Sequence, residues 1–199
     1  MSIPVAIIDS GGANIASLRA ALARLGAESV VTSDADVIRR ATRVLLPGVG
    51  SAHNAMARLR STGLDRLIPT LKQPLLGICL GMQILFDSSE EGPANGLAVI
   101  PGQVKRLQFA PGLPVPHMGW NQLSQGKADP LLDGMSSLDY VYFVHGYAVP
   151  AGEWTIATTE YGSAFTAVAR RDNFCGTQFH PERSGVVGAR ILANFLKAT

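Results

Sequence analysis

Cysteine is scarce in this chain: among 199 residues only Cys79 and Cys175 carry a thiol. They form neither a CxxC pair nor a zinc-type spacing, which excludes a secreted disulfide framework and leads us to expect a reducing cytoplasm as the compartment. Charge of one sign is scarce too. Lys and Arg number 17 against 15 Asp and Glu, and the densest basic pairs, Arg39-Arg40 and Arg170-Arg171, stand isolated. That leaves no basic stripe for nucleic acid and no patch for a membrane surface. No apolar run reaches bilayer-spanning length, and Met1-Ser2-Ile3-Pro4 carries no charged leader, so neither a membrane helix nor a signal peptide is expected. Low-complexity segments, internal repeats and a Walker A motif are missing as well. A dinucleotide fingerprint fails because Gly48-x-Gly50 would need a third glycine where His53 stands.

Apolar residues are abundant, at 47% of the chain, enough for one core at this length, so a single domain over residues 1–199 is expected. Val5 to Ile8 reads as a strand ending in Asp9-Ser10-Gly11-Gly12, and Ile15, Leu18, Leu22 and Leu25 then recur at helical spacing until Gly26. Ser29 to Thr32 is a second strand. Ser33-x-x-Asp36 resembles a capping box that opens a helix reaching about Ala41, and Arg43 to Leu46 makes a third strand. A helix-like stretch covers Ala52 to Leu59. From Leu97 to Phe179 short strands prevail, with candidates at 99–100, 103–107, 115–118, 140–144, 155–158, 164–169 and 175–179, before an amphipathic helix over 186–196. The expected fold is α/β: three layers, a mainly parallel sheet with helices on both faces, and a mixed or antiparallel extension. Ligands on such a sheet sit beyond the carboxyl ends of its strands.

The stretch from Lys72 to Phe86 holds the chemistry. An apolar strand after Pro74 meets Gly77-Ile78-Cys79-Leu80-Gly81, and Leu80, Met82, Ile84, Leu85 and Phe86 suit a helix behind it. A nucleophile between two spaced glycines at a strand-to-helix turn matches the nucleophile elbow, and a helix N-terminus favours a thiolate. The same residue would also suit a small buried core position. Pro47-Gly48-Val49-Gly50 closes the third strand at the same rim, either as a tight turn or as a cradle of backbone N–H groups. A cysteine nucleophile needs a base. Of the four histidines, His53, His117, His145 and His180, only His180 is followed closely by a carboxylate, Glu182. In extended backbone these two share a face, and Pro181 stiffens the segment, although a bare turn would look the same.

Taken together, the elbow and the later His-Pro-Glu resemble the class I (triad) glutamine amidotransferases. Gly77 to Gln83, Pro47 to Gly50, Ser89 to Gly92, Pro116 to Asn121, Tyr142 to Tyr147 and Gln178 to Ser184 together resemble one branch of that family, the glutaminase subunits of imidazole glycerol phosphate synthases. The likeness runs over nearly the whole chain. It implies Cys79 as nucleophile, His180 as proton relay and Glu182 as its orienter, with Leu80 and Val49 or Gly50 supplying oxyanion N–H groups. It also implies a glutamine site at Gly48, Gln83, His145, Gly146 and Tyr147. A separate cyclase subunit of (β/α)₈ fold would receive the ammonia in histidine biosynthesis, forming a heterodimer through Asn14, Met118, Trp120, Tyr142 and Arg183. Glutaminase activity would be low until that partner aligns the oxyanion donors. No cofactor and no metal is implied. A glutaminase serving another synthase, or a silent partner-binding homologue, are the alternatives. Three departures stand out: Asp9-Ser10-Gly11-Gly12-Ala13-Asn14 replaces the usual D-Y-G-x-G-N, Gly146 stands where serine is common, and Ser51-Ala52-His53 follows Pro-Gly-Val-Gly where A-F-G is usual. The first removes a tyrosine near the partner surface. The second removes a hydroxyl from the glutamine pocket, and the third leaves the oxyanion glycines in place.

Overall fold

A computed structural model of the chain describes residues 3–10, 14–92, 94–108 and 111–197. Of the opening motif, Gly11, Gly12 and Ala13 lie outside the described residues. In chain order, β1 (Ile3–Ile8) leads to α1 (Ile15–Arg24), β2 (Ser29–Thr32), α2 (Ala35–Arg40), β3 (Ala41–Gly48), α3 (Ala52–Ser61), α4 (Leu64–Leu67), β4 (Leu75–Cys79) and α5 (Leu80–Gln83). Strands then dominate: β5 (Phe86–Ser89), β6 (Ala94–Asn95), β7 (Ile100–Arg106), β8 (His117–Gln122), β9 (Ser124–Gln125), β10 (Tyr140–His145) and β11 (Tyr147–Ala148). β12 (Thr155–Tyr161), β13 (Ser163–Arg171) and β14 (Phe174–Thr177) precede the closing helix α6 (Gly185–Lys197).

The central sheet has the order β2-β1-β3-β4-β14-β13-β12-β9. It is parallel from β2 to β14 and antiparallel beyond, where β13, β12 and β9 extend it. Side chains of β1 alternate as the pleat demands: Ala6 and Ile8 join one core cluster, Val5 and Ile7 the other. Helices α2 to α5 cover the first face, and α1 and α6 the second. Burial on both faces explains why these strands read as continuous apolar runs. On α6, Ile191, Leu192 and Phe195 are fully buried, each contributing roughly 1.5–3 kcal/mol. Among the described residues no helix is long and apolar enough to cross a membrane.

Three local expectations need correction. Asp34, rather than Ser33, caps α2: its carboxylate accepts from the N–H groups of Asp36 (2.7 Å) and Val37 (3.1 Å). Ala41 is already extended, with φ −68° and ψ 142°, and belongs to β3. The helix after the elbow is a single turn. Carbonyls that would continue it are taken by the following loop, with Leu97 N–H donating to Ile84 O (2.7 Å) and Val99 N–H to Leu85 O (2.9 Å). Phe86 therefore opens a strand, which runs through Ser88-Ser89. Several later strands also leave the main sheet, pairing as β10-β8 and as β11-β7-β5-β6.

Candidate active site

Glycines let three backbones meet beneath the elbow. A Cβ on Gly81 would lie 1.7 Å from the Leu46 carbonyl oxygen, and one on Gly77 would lie 2.7 Å from that of Gly81. Contacts below 3.0 Å are not tolerated by real Cβ atoms, so α5 presses on β3 and β4 only because side chains are missing there. Gly48 lies beneath the floor of the site, its own Cβ direction 2.8 Å from Gly81 N, and it is Cys79's partner in the β3–β4 register. Cys79 has φ 54°, a strained value for a residue with a side chain. The strain has a visible effect. Ile78 and Cys79, consecutive in the chain, both join the core cluster on the α1 and α6 face, where strict alternation would separate them.

His180 arrives from the end of β14, the strand paired with β4 on its other side. Its backbone is pinned: its N–H donates to Tyr142 O (3.0 Å), and its carbonyl accepts from Ser184 Oγ (2.7 Å). The segment after it is a 3₁₀ turn, Pro181–Arg183, rather than extended. Glu182 still reaches back, with Oε1 2.8 Å from His180 Nδ1, both side chains being under a tenth exposed. Gly188 allows α6 to press on this turn, since a Cβ there would meet Pro181 O at 1.9 Å. With Nδ1 engaged, Nε2 is the nitrogen left for Cys79. Burial opposes a charge on His180, but hydrogen bonds to Cys79 and Glu182 outweigh it and lift its pKa to about 10. His180 is accordingly biased toward its charged, imidazolium form.

A cleft of about 350 Å³ opens above the sulfur. Val49, Gly50 and Leu80 line it beside Cys79, and Gln83, His145, Gly146 and Tyr147 line the opposite wall. Asn14 and Arg183 also reach the cleft. Gly50 has φ 86° with nothing within 4 Å of its Cβ position, so the Gly48–Gly50 turn is open above the floor. His145 Nδ1–H donates to Tyr147 O (2.8 Å), which leaves its Nε2 to accept from His117 Nδ1–H at 3.2 Å. Burial pushes the pKa of His117 down to about 4 and that of His145 to about 3, so both are neutral beside the charged His180. Met118 and Trp120 project from β8, 64% and 55% exposed, and Tyr142 from β10 faces Trp120 directly in the register. The Arg183 guanidinium sits 4.6 Å over the Tyr142 ring.

Three residues were given no role from the sequence. Glu91 lines the cleft, accepts from Ala52 N–H at the start of α3 (3.0 Å), and has its pKa raised by burial. Gln178, wholly buried, touches the Cys79 sulfur. His117 supports His145 from beneath. Their signals are weak in sequence: a polar residue inside an apolar strand, or one carboxylate among several in a loop. Among the described residues no cluster of His, Cys, Asp or Glu could hold a metal ion.

Thiol at a strained elbow, imidazole and carboxylate at the neighbouring strand end, and a closed floor of glycines define a thiol hydrolase of α/β architecture. The glutamine amidotransferase class-I family matches residues 6–199. Imidazole glycerol phosphate synthase subunit HisH of Xylella fastidiosa strain 9a5c is 53% identical over 97% of this chain and 96% of its own length. The same subunit of Xanthomonas campestris pv. campestris strain 8004 is 52% identical with equal coverage. A solved glutamine amidotransferase superposes with TM-score 0.76 at 20% identity, covering 97% of both chains, which speaks for the fold. The chain belongs to the class-I glutamine amidotransferases.

Proposed function

We propose that this chain is the glutaminase subunit of an imidazole glycerol phosphate synthase, hydrolysing glutamine to glutamate and ammonia. The observation that carries the chemistry is the pairing of Cys79, at φ 54° on the elbow, with a His180 whose other nitrogen is 2.8 Å from Glu182. Cys79 Sγ attacks the side-chain amide carbon of glutamine. The imidazolium of His180 gives its proton to the departing nitrogen, ammonia leaves, and a thioester remains. His180, now neutral, draws a proton from water as it attacks the thioester, and glutamate and the thiolate are released. Backbone N–H groups of Leu80 and of Val49 or Gly50, which line the cleft beside the sulfur, would supply the oxyanion donors, and losing one such donor typically costs 10²-fold or more in rate. Both N–H bonds of Gln83 are spent, on Tyr147 O (2.8 Å) and Gln178 Oε1 (3.0 Å). It therefore offers glutamine its oxygen, an acceptor suited to the α-ammonium, and the half-buried carboxyl of Glu91 is the charge that would match the same group.

Ammonia set free in water is protonated and lost as a nucleophile, so a second subunit must cover the site. The outer face of β8 and β10, with Met118, Trp120 and Tyr142 beside Arg183, has the aromatic and guanidinium composition of a docking surface. Its partner is a cyclase subunit of (β/α)₈ fold, which uses the ammonia in histidine biosynthesis. Converting Cys79 to Ala is expected to abolish glutamate release while the complex still turns over with added ammonium. Retained glutaminase turnover in that variant would refute the assignment.

A further inference from the structure

The Cys79 sulfur meets two polar groups besides His180. Val144 O, at 3.8 Å, can only accept, so it favours the protonated thiol. Gln178 Nε2, at 3.7 Å, can only donate, so it favours the thiolate. Which atom of the Gln178 amide faces the sulfur is settled by its neighbours. Its Oε1 accepts from Gln83 Nε2–H (3.0 Å), and the second N–H of Gln83 goes to Tyr147 O (2.8 Å). Tyr147 O also receives His145 Nδ1–H (2.8 Å), and His145 Nε2 receives His117 Nδ1–H (3.2 Å). Gln178, Gln83, His145 and His117 are all under a tenth exposed. Turning any one amide over would set donor against donor or acceptor against acceptor along the chain, and a buried mismatch of that kind is costly. The chain thus holds one N–H aimed at the reacting atom.

We propose that Gln178 is a catalytic residue: its side-chain N–H holds the Cys79 sulfur as the attacking thiolate and receives it again when the thioester is hydrolysed. This role rests on the glutaminase reading above, but the contact itself is tested without glutamine. Alkylation of Cys79 by iodoacetamide follows the thiolate fraction. It is measured against pH, with peptide mapping so that Cys175, 1% exposed, is counted separately. Gln178→Met and Gln178→Leu keep the bulk and lose the donor. Both are expected to react roughly ten-fold or more slowly than the unsubstituted protein near pH 6, the size of a hydrogen bond to a charged group, and to reach the same limiting rate at alkaline pH. A purely structural role would lower the rate at every pH without moving the midpoint. Coinciding profiles in folded variants would overturn the proposal. Should both variants lose their structure by circular dichroism, the unsubstituted protein decides: the side-chain amide protons of Gln178 must titrate in NMR with the midpoint of Cys79 alkylation, and their failure to move would equally overturn it. If the profiles separate as expected but the unsubstituted protein releases no glutamate with its cyclase present, the glutaminase reading fails and the role of Gln178 toward the sulfur stands.

Discussion

Charge at His180 is shared between two neighbours, the sulfur of Cys79 and the carboxylate of Glu182, and the two can be separated by chemistry. Alkylating Cys79 turns the sulfur into a neutral thioether while leaving the 2.8 Å contact to Glu182 in place. The imidazole then keeps the cost of burial and loses the first of the partners that offset it. Its pKa, about 10 before alkylation, is expected to fall by roughly one to three pH units, the usual effect of one nearby opposite charge. Titration of the His180 ring signals by NMR before and after alkylation checks this. An unmoved midpoint would mean that Glu182 alone sustains the charge.

The junction of β3, β4 and α5 depends on three backbones touching. At Gly81 an added methyl would collide with Leu46 O at 1.7 Å, which neither strand nor helix can relieve by a side-chain adjustment. Gly81→Ala is expected to destabilise the protein by about 3 kcal/mol or more, read as a lowered urea midpoint. Gly50→Ala makes the useful contrast. Nothing lies within 4 Å of that Cβ direction, so only the φ of 86° is penalised, at roughly 1–2 kcal/mol. The two-stranded sheet of β8 and β10 divides its work by face. Val141, Phe143, His117 and His145 point inward, while Trp120 and Met118 stand in solvent. Trp120→Ala should therefore leave thermal stability nearly unchanged and weaken binding of the cyclase subunit about 30-fold, as removal of an aromatic hot spot of about 2 kcal/mol does. Titration calorimetry against the cyclase measures it.

Across the molecule, two neutral histidines make stability fall in acid. Burial holds His117 at about pKa 4 and His145 at about 3, against 6.5 for a free imidazole. Between pH 6.5 and these values the unfolded chain binds protons that the folded one refuses. Stability present above pH 6.5 is lost as the pH falls, by up to about 1.4 kcal/mol per pH unit for each histidine. His117→Phe keeps an aromatic ring in the stack with Phe143 and Tyr161, 4.9 and 4.0 Å from them by centroid. It should lower the slope of stability against pH by one histidine's share, as denaturant unfolding at several acid pH values would register.

Much of this arrangement is legible in the residues alone. Gly77 to Gly81 announces a nucleophile turn because the steric demand is local, and His180-Pro181-Glu182 announces its base because both groups lie within one turn of chain. Apolar runs at the parallel strands are equally plain, since burial on both faces leaves no polar position to confuse them. Other features depend on neighbours distant in sequence. Ser33 and Asp34 are equivalent as caps until Asp34 takes both N–H groups. The helix after Cys79 ends early because residues 97–100 claim its carbonyls. Gln178 reads as one more residue of an apolar strand end until Gln83, 95 positions earlier, turns its amide toward the sulfur. Sequence by itself pointed to the family of the chain and to Cys79 and His180 as candidate nucleophile and base, since those readings rest on steric and chemical requirements within a few residues. Tertiary structure alone decided how Cys79 is aimed, which histidines stay neutral and which amide faces the sulfur. Burial, strand register and hydrogen-bond polarity are set between segments that meet only when the sheet has formed.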